Sequence, residues 1–385
     1  MVAWIIVGVF VTYQVLLMLI LPGKTIKGPA TPIHNNEPIH KVNGFSSFVI
    51  TLLSYEVASG DLLTFIGAQL GAEWNYRLFP GSILFDHWLD LLGAFTWFSV
   101  GVCLLLYVKG IYFPSSSDSG SSGNLVFDFY WGTELYPKIK SLDIKPLIHS
   151  RIGITLWAML NVSYVHAQLE HSGVITNALW VNAIMQLIYI GKHHWWEEGY
   201  MATTDIVHDY EGFYLVYGCV VFMPFTFTLS GVSLVYHPSH HLSVLGAIVS
   251  SILCLGFIYL NYSADDQKQR VRATDGNCTI WGRPPKVIRA KTYGYTKKAS
   301  LLLCSGWWGV SRHFHYLADI GSVFLWTLPA GWPWENPIVY FYWVFLTILF
   351  IDRAKRDDLR CARKYKQSWA KYCSLVPYKI FPYIW

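Results

Sequence analysis

The sequence is poor in charge and lacks the common signatures of soluble nucleotide-binding domains. Only 14% of its 385 residues are charged and 53% are hydrophobic, whereas soluble proteins carry roughly 25% charged residues. This composition predicts a membrane protein. No GxGxxG or Walker sequence is present, which argues against a Rossmann or P-loop site. The N-terminus lacks a basic region and a small-residue cleavage site, so we expect residues 2–21 to form a retained span.

Metal-site signatures are also weak. The seven cysteines are scattered and form no CxxC pair, which argues against a zinc site or a disulfide framework. The segment 237–241 has the HxxHH form of a membrane di-iron box, but Pro238 would interrupt a helix there. His193 and His194 lie near a predicted span end, and the pair in 313–315 has the wrong spacing. We therefore expect structural or interfacial histidines and no metal.

Long apolar runs predict an all-α polytopic membrane protein with roughly nine to ten transmembrane helices. The Ser/Gly-rich segment 114–123 predicts a flexible linker, and the aromatic segment after it suggests a re-entrant or interfacial element. Gly331 and Pro333 separate the last two runs and predict a helical hairpin. The expected spans are roughly 2–21, 45–70, 86–108, 150–168, 174–192, 212–236, 242–262, 318–331 and 336–352.

Positive charge is concentrated near the C-terminus. Of the 29 Lys and Arg residues, nine lie in 263–300 and nine more in 353–379. The positive-inside rule places both tracts in the cytosol, and the hairpin between them returns the chain to the same side. We expect a transmembrane bundle over 1–262 and a cytosol-facing half over 263–385.

Polar residues interrupt the apolar run at 301–320, here called the central segment. Arg312 and Asp319 would each cost about 2.5–3.5 kcal/mol at membrane depth, so this segment is expected to face a polar site. Lys268 and Arg272 are four residues apart, on one face of a helix. Cations with aromatic neighbours suit a phosphate-rich, flat cofactor. The alternative is a solvated amphipathic surface helix.

Three segments carry a resemblance to a known family. GNLVFDFYWGTELYPKI, SGWWGVSRHFHYLADI and DRAKRDDLRCARKY are similar to segments of the sterol reductases of the endoplasmic reticulum. That family includes Δ14-, Δ7- and Δ24(28)-sterol reductases and the lamin B receptor. The triplet Arg312-His313-Phe314 resembles the Δ7 branch, because Δ14 reductases usually show Arg-His-Pro. The resemblance extends from residue 16 to residue 385.

The resemblance implies a multi-pass enzyme of the endoplasmic reticulum membrane that uses NADPH to reduce the C7–C8 double bond of a sterol. The sterol would come from the bilayer, and the partners would be membrane lipid and other sterol-biosynthesis enzymes, without nucleic acid or metal. The alternatives are a Δ14-sterol reductase and a non-catalytic sterol-binding protein of the same fold.

The resemblance also implies which residues contact NADPH in the C-terminal half. Because a ring alkene is weakly electrophilic, a general acid is also expected, with Tyr372, Asp357 and Glu134 as candidates. The sequence departs from the family at Lys366, where glycine is usual, and at Phe227, where tyrosine is common. The implied cofactor contacts are Lys268, Arg272, Leu303, Trp308, His315, Tyr316, Asp357, Cys361, Ala362, Arg363, Lys364, Tyr365 and Tyr372.

Overall fold

The computed structural model describes residues 1–31, 34–60, 76–237, 242–292 and 299–385. This part of the chain is mostly helical and contains three two-stranded antiparallel sheets. The all-α prediction is therefore correct for most of these residues but misses the sheets. The chain divides into two compact units, Met1–His241 and Leu242–Trp385.

The unit Met1–His241 is built from helices, two of which contain π-helical turns at Leu147–Ile154 and Gly218–Phe222. Strand β1 (Lys24–Lys27) pairs with β2 (Ile39–Val42), and β3 (Lys138–Ile139) pairs with β4 (Leu142–Asp143). The α-helices are α1 (Val2–Ile20), α2 (Gly44–Ser59), α3 (Ile83–Asp86), α4 (Trp88–Tyr112), α5 (Leu125–Trp131), α6 (Ile144–Pro146), α7 (Thr155–Ser172), α8 (Asn177–Trp195), α9 (Glu197–Tyr200), α10 (Thr204–Val207), α11 (Phe213–Tyr217), α12 (Met223–Thr226) and α13 (Leu229–Tyr236).

A ladder of buried amides holds α7, α8 and α13 together. Trp157 Nε1 donates to Gln186 Oε1 at 2.7 Å, and Gln186 Nε2 donates to Asn182 Oδ1 at 2.9 Å. Asn182 Nδ2 in turn donates to Ser230 Oγ at 2.8 Å. Buried polar groups need such partners. These internal amides lower the hydropathy of α7 and α8 although both helices are largely buried.

Within the described residues, five helices are long and apolar enough to cross a membrane. The predicted span 45–70 extends into residues 61–75, which lie outside the described residues, and α7 and α8 are not among the five. The five are Val2–Ile20, Trp88–Tyr112, Phe213–Tyr236, Val244–Ala273 and Pro337–Tyr365.

The unit Leu242–Trp385 combines helices with one sheet. Strand β5 (Val287–Lys291) pairs with β6 (Ala299–Leu303). Two 3-10 turns, Leu328–Ala330 and Pro337–Tyr340, separate the last long helices, at the site of the predicted hairpin. The α-helices are α14 (Val244–Ala273), α15 (Trp307–Val310), α16 (Phe314–Thr327), α17 (Phe341–Tyr365) and α18 (Gln367–Leu375).

The first residues of the central segment form a strand, not part of a membrane-type helix. Leu301 and Leu303 pack with Val271, Ile280 and Trp308, whereas Leu302 belongs to a second buried cluster. The apolar run is explained by this burial on both faces of β6, a pattern that cannot be told from a short helix by periodicity.

Both basic tracts begin inside long helices. The apolar helix α14 continues to Ala273, and α17 continues from its apolar first half to Tyr365. The predicted boundary between residues 262 and 263 therefore lies inside α14. Each helix changes from an apolar to a charged surface without a break.

Candidate active site

The end of α14 packs against Trp308, the second residue of α15. Lys268 Nζ lies 4.2 Å from the centroid of the Trp308 ring, within cation–π range. Trp308 Nε1 donates to the Ala264 carbonyl at 2.6 Å. Gly306, which precedes α15, has φ 63°, and a Cβ there would lie 2.2 Å from Gln267 Oε1. Glycine is thus required for this close approach to α14.

Aromatic rings continue from Trp308 along the start of α16. The His315 ring lies 5.1 Å from Trp308 and 4.3 Å from Tyr316. Tyr316 stacks between His313 at 5.0 Å and Phe350 of α17 at 4.1 Å, with interplanar angles of 6° and 9°. This series of ring faces could pack against a flat heterocycle.

Asp357 of α17 lies opposite His313. Its Oδ2 is 3.8 Å from His313 Nε2 and 3.7 Å from Cys361 Sγ, and its Oδ1 pairs with Arg360. Burial lowers the pKa of the His313 imidazole, and the Asp357 carboxylate offsets only part of that effect. His313 is therefore neutral near pH 7. The sequence-based set of site residues omits it.

Tyr372 is buried in α18 with its hydroxyl directed at the central segment. The hydroxyl donates to the Trp308 carbonyl at 3.4 Å. The ring belongs to a buried cluster that includes Tyr365 and Trp369. Burial raises the pKa of Tyr372 well above its ordinary value, so the hydroxyl keeps its proton at neutral pH. A general acid must be protonated, but the raised pKa also makes this hydroxyl a weaker acid than a free tyrosine.

A network around Asp358 holds the central segment in place. Asp358 Oδ1 accepts from Arg312 Nη1 at 3.1 Å and from Trp369 Nε1 at 3.0 Å, and Lys379 Nζ lies 3.5 Å from its Oδ2. The His313 backbone N–H donates to the Lys379 carbonyl at 2.8 Å. The sequence analysis does not predict a role for Asp358, because its partners Arg312, Trp369 and Lys379 are distant in the sequence.

The structure thus connects about half of the expected cofactor residues. Leu303 lies in the same buried cluster as Trp308, and Tyr365 is buried with its hydroxyl 3.4 Å from Ser300 Oγ. Arg272 is exposed one turn beyond Lys268, and Ala362, Arg363 and Lys364 are exposed on α17. The residues joined by direct contacts are Lys268, Trp308, His315, Tyr316, Asp357, Cys361 and Tyr372.

Glu134, the third acid candidate, belongs to the unit Met1–His241 and already has two partners. Its Oε2 lies 2.7 Å from Lys109 Nζ, and its Oε1 accepts from the Ser115 backbone N–H at 2.5 Å. The carboxylate serves there as the counter-ion of Lys109. Its catalytic role remains a prediction.

The histidines considered as metal ligands are placed differently from one another. His194 is buried, stacks on Phe48 at 4.8 Å and lies 3.4 Å from Ser150 Oγ, so it belongs to the core rather than the membrane interface. His237 is exposed, and residues 238–241 lie outside the described residues. Among the residues that the structure describes, no group of three or more His, Cys, Asp or Glu could hold a metal ion.

The mostly helical fold, with five helices that could cross a membrane among the described residues, agrees with the comparison with known proteins. The model of the Ergosterol biosynthesis ERG4/ERG24 family matches residues 1–385, and the chain belongs to this family.

Curated relatives cover nearly the whole chain. A 7-dehydrocholesterol reductase from Arabidopsis thaliana is 44% identical over 100% of this chain and 85% of its own length. One from Xenopus laevis is 34% identical over 97% of this chain and 78% of its own length. A Delta(14)-sterol reductase from Mus musculus is 34% identical over 90% of this chain and 77% of its own length.

Proposed function

We propose that the chain is an NADPH-dependent sterol reductase that saturates the C7–C8 double bond, as in the conversion of 7-dehydrocholesterol to cholesterol or the equivalent phytosterol step. The observation that carries this proposal is the 44% identity, over the full chain, to a protein named 7-dehydrocholesterol reductase. The contacts among Lys268, Trp308 and His315 support a cofactor site in the same chain.

The cations and aromatic rings of the C-terminal unit have the chemistry that NADPH binding needs. Lys268 combines a cation with the Trp308 ring face, and the exposed Arg272 lies one turn further along α14, so the two together suit a 2′-phosphate. The ring faces of His315 and Tyr316 suit a nicotinamide or adenine. We assign cofactor contacts to Lys268, Arg272, Leu303, Trp308, His315, Tyr316, Asp357, Cys361, Ala362, Arg363, Lys364, Tyr365 and Tyr372.

The proposed setting is the endoplasmic reticulum membrane, with nine to ten spans. Residues 1–262 would form the sterol-facing bundle and residues 263–385 the cytosol-facing cofactor half. The five apolar helices and the two basic tracts support this arrangement through the positive-inside rule. The sterol would enter from the bilayer, in contact with membrane lipid and other sterol-biosynthesis enzymes.

The protein's part in the chemistry is to position the alkene and to supply a proton. NADPH supplies the hydride when bound. Tyr372 is our first choice of acid, because its buried hydroxyl stays protonated and bonds only weakly to the Trp308 carbonyl at 3.4 Å. Asp357 comes second because Arg360 and His313 compete for its carboxylate, and Glu134 comes last.

The direct test incubates membranes containing the chain with 7-dehydrocholesterol and NADPH deuterated at the transferable position. We expect cholesterol carrying one deuterium, and mass spectrometry of the sterols measures it. Membranes with the variant Tyr372→Phe serve as the control and should form product much more slowly. A product without deuterium would contradict direct hydride transfer, and an absence of product would contradict the proposed activity.

A Δ14-sterol reductase is the second candidate, favoured by the relative from Mus musculus. Parallel assays with Δ7 and Δ14 sterols separate the two, because each activity saturates a different ring bond. A non-catalytic sterol-binding protein of the same fold would instead show no NADPH binding in a titration of the purified chain.

A further inference from the structure

His313 lies at the N-terminal boundary of α16 but does not cap the helix with its side chain. Residues at this position are usually Ser, Thr, Asp or Asn, whose short side chains accept a hydrogen bond from the first backbone N–H groups of the helix. His313 is instead buried, with only 7% of its surface exposed. Departures from such local preferences are expected at functional sites.

The first contact of the His313 side chain is with Tyr316, three residues further along the chain. The two ring planes differ by 6°, and their centroids are 5.0 Å apart, within the range of an offset-stacked pair. Phe350 of α17 lies parallel to Tyr316 at 4.1 Å. The three rings form one stack that joins α16 to α17 and fixes the plane of Tyr316.

The second contact is with Asp357 of α17. His313 Nε2 lies 3.8 Å from Asp357 Oδ2, and Arg360 holds the other oxygen of the same carboxylate. The distance of 3.8 Å exceeds that of a direct hydrogen bond, but polar contacts in an active site are often long before the ligand binds and shorten in the complex. His313 therefore contacts two residues that we assign to the cofactor, one on each helix.

The backbone around His313 is held independently of its side chain. The Arg312 N–H donates to the Tyr378 carbonyl at 2.9 Å, and the His313 N–H donates to the Lys379 carbonyl at 2.8 Å. Because these bonds join main-chain atoms only, they can form whichever side chain occupies position 313. A substitution there changes the ring and its nitrogen atoms and leaves these backbone contacts available.

We propose that His313 is a positioning residue of the cofactor site, which holds the Tyr316 ring and the Asp357 carboxylate in place for NADPH. This inference rests on the proposed function, because Tyr316 and Asp357 enter it as cofactor contacts. The two contacts of the imidazole can be separated chemically. Phenylalanine keeps a flat ring and loses the N–H, whereas glutamine keeps an N–H and loses the ring.

The test compares NADPH binding by the purified full-length parent and three variants in detergent. NADPH fluorescence gives the dissociation constant, and steady-state kinetics give the KM for NADPH and for 7-dehydrocholesterol. We expect His313→Phe and His313→Gln each to weaken NADPH binding about threefold, because each loses one contact. His313→Ala loses both contacts and should weaken it about tenfold. The KM for the sterol should stay close to that of the parent.

Phe324→Leu is the matched control, because Phe324 of α16 packs against Trp343 of α17 at 5.5 Å, about two turns from Tyr316. It removes an aromatic contact between the same two helices and should leave NADPH binding unchanged. Equal weakening in Phe324→Leu and His313→Ala would overturn the proposal, because it would show a general packing defect. Unchanged NADPH binding in His313→Ala would also overturn it.

The binding measurement separates this inference from the proposed activity. A parent that binds NADPH but does not reduce the sterol would contradict the activity alone, and the comparison of dissociation constants would still decide the role of His313. A parent that binds no NADPH would overturn both. Thermal unfolding confirms that each variant is folded, and His313→Phe and His313→Gln provide the comparison if His313→Ala does not fold.

Discussion

At the scale of single residues, Lys366 occupies a backbone conformation that favours glycine. It joins α17 to α18 with φ 48° and ψ −119°, and the resembling family usually has glycine at this point. A side chain in such a region costs of order 1–3 kcal/mol. A lysine is therefore expected to be less stable than a glycine at this position.

We predict that Lys366→Gly stabilises the protein by about 1 kcal/mol, because it relieves this strain. The measurement is the thermal unfolding temperature in detergent. The matched control is Lys371→Gly inside α18, which should destabilise by about 1 kcal/mol because glycine is a poor helix former. A lower unfolding temperature for both variants would contradict the assigned strain.

Lys268 combines a positive charge with an aromatic contact. We predict that Lys268→Met raises the KM for NADPH about tenfold, because it removes a phosphate-neutralising cation and its contact with Trp308. The matched control is Arg270→Met on the same helix, where Arg270 is exposed and pairs with Asp266 at 3.7 Å. Steady-state kinetics with varied NADPH measure both, and equal KM values would exclude Lys268 from the cofactor site.

At the scale of elements, the Asp358 network links α17, α18 and the C-terminal residues to the central segment. Because Arg312 is only 6% exposed, loss of its carboxylate partner would leave a buried charge unpaired, at a cost of about 3 kcal/mol. Asp358 thus fixes the position of Arg312, the residue that precedes His313.

We predict that Asp358→Asn raises the KM for NADPH several-fold with a smaller change in the KM for sterol. Asp352→Asn is the matched control, because Asp352 lies on the same helix in an exposed ion pair, and such pairs contribute about 0–1 kcal/mol. The conservative change Asp358→Glu should restore part of the affinity. Equal changes in both KM values would show a general structural defect instead.

The sequence predicts an element when the residues that determine it are neighbours in the chain, and it fails when they are far apart. The apolar runs predict α1, α4 and α14, because a helix that can cross a membrane is recognised by about 20 consecutive apolar residues. Strand β6 was missed because Leu301 and Leu302 are both buried, which removes the alternation of a surface strand. The contact between Arg312 and Asp358 spans 46 residues, and no local pattern reports such a pairing.

In the candidate site too, the sequence predicts the features that depend on neighbouring residues and misses those that depend on distant contacts. Helical spacing predicts that Lys268 and Arg272 lie on one face of a helix. The residue types in the central segment predict that aromatic rings lie nearby. His313 was rejected as a metal ligand by spacing, and its stacking on Tyr316 depends on the bend between α15 and α16, which only the folded chain shows.

At the scale of the whole molecule, a buried neutral histidine makes stability depend on pH. The pKa of His313 is lower in the folded protein than in the unfolded chain. The unfolded chain therefore binds more protons below about pH 6.5, so stability is full above that pH and falls as the pH decreases.

We predict that the unfolding temperature of the parent falls between about pH 7.5 and about pH 5.5, and that His313→Gln reduces this fall. Replacement of the exposed His237 by glutamine is the control and should leave the pH dependence unchanged. An identical pH dependence in the parent and His313→Gln would show that other groups determine acid stability.

The continuity of α17 has one more consequence. One continuous helix, which is part of the candidate membrane span Pro337–Tyr365, carries Asp357 beside His313. If the bilayer thickens or thins, the helix tilts or shifts as one body, at a cost of a fraction of a kcal/mol per Å. In the proposed membrane setting, the height of Asp357 relative to the bilayer would therefore depend on membrane thickness. Sterol-rich membranes are thicker. A sterol that accumulates in the bilayer would therefore change the tilt or the height of α17, and with it the position of Asp357.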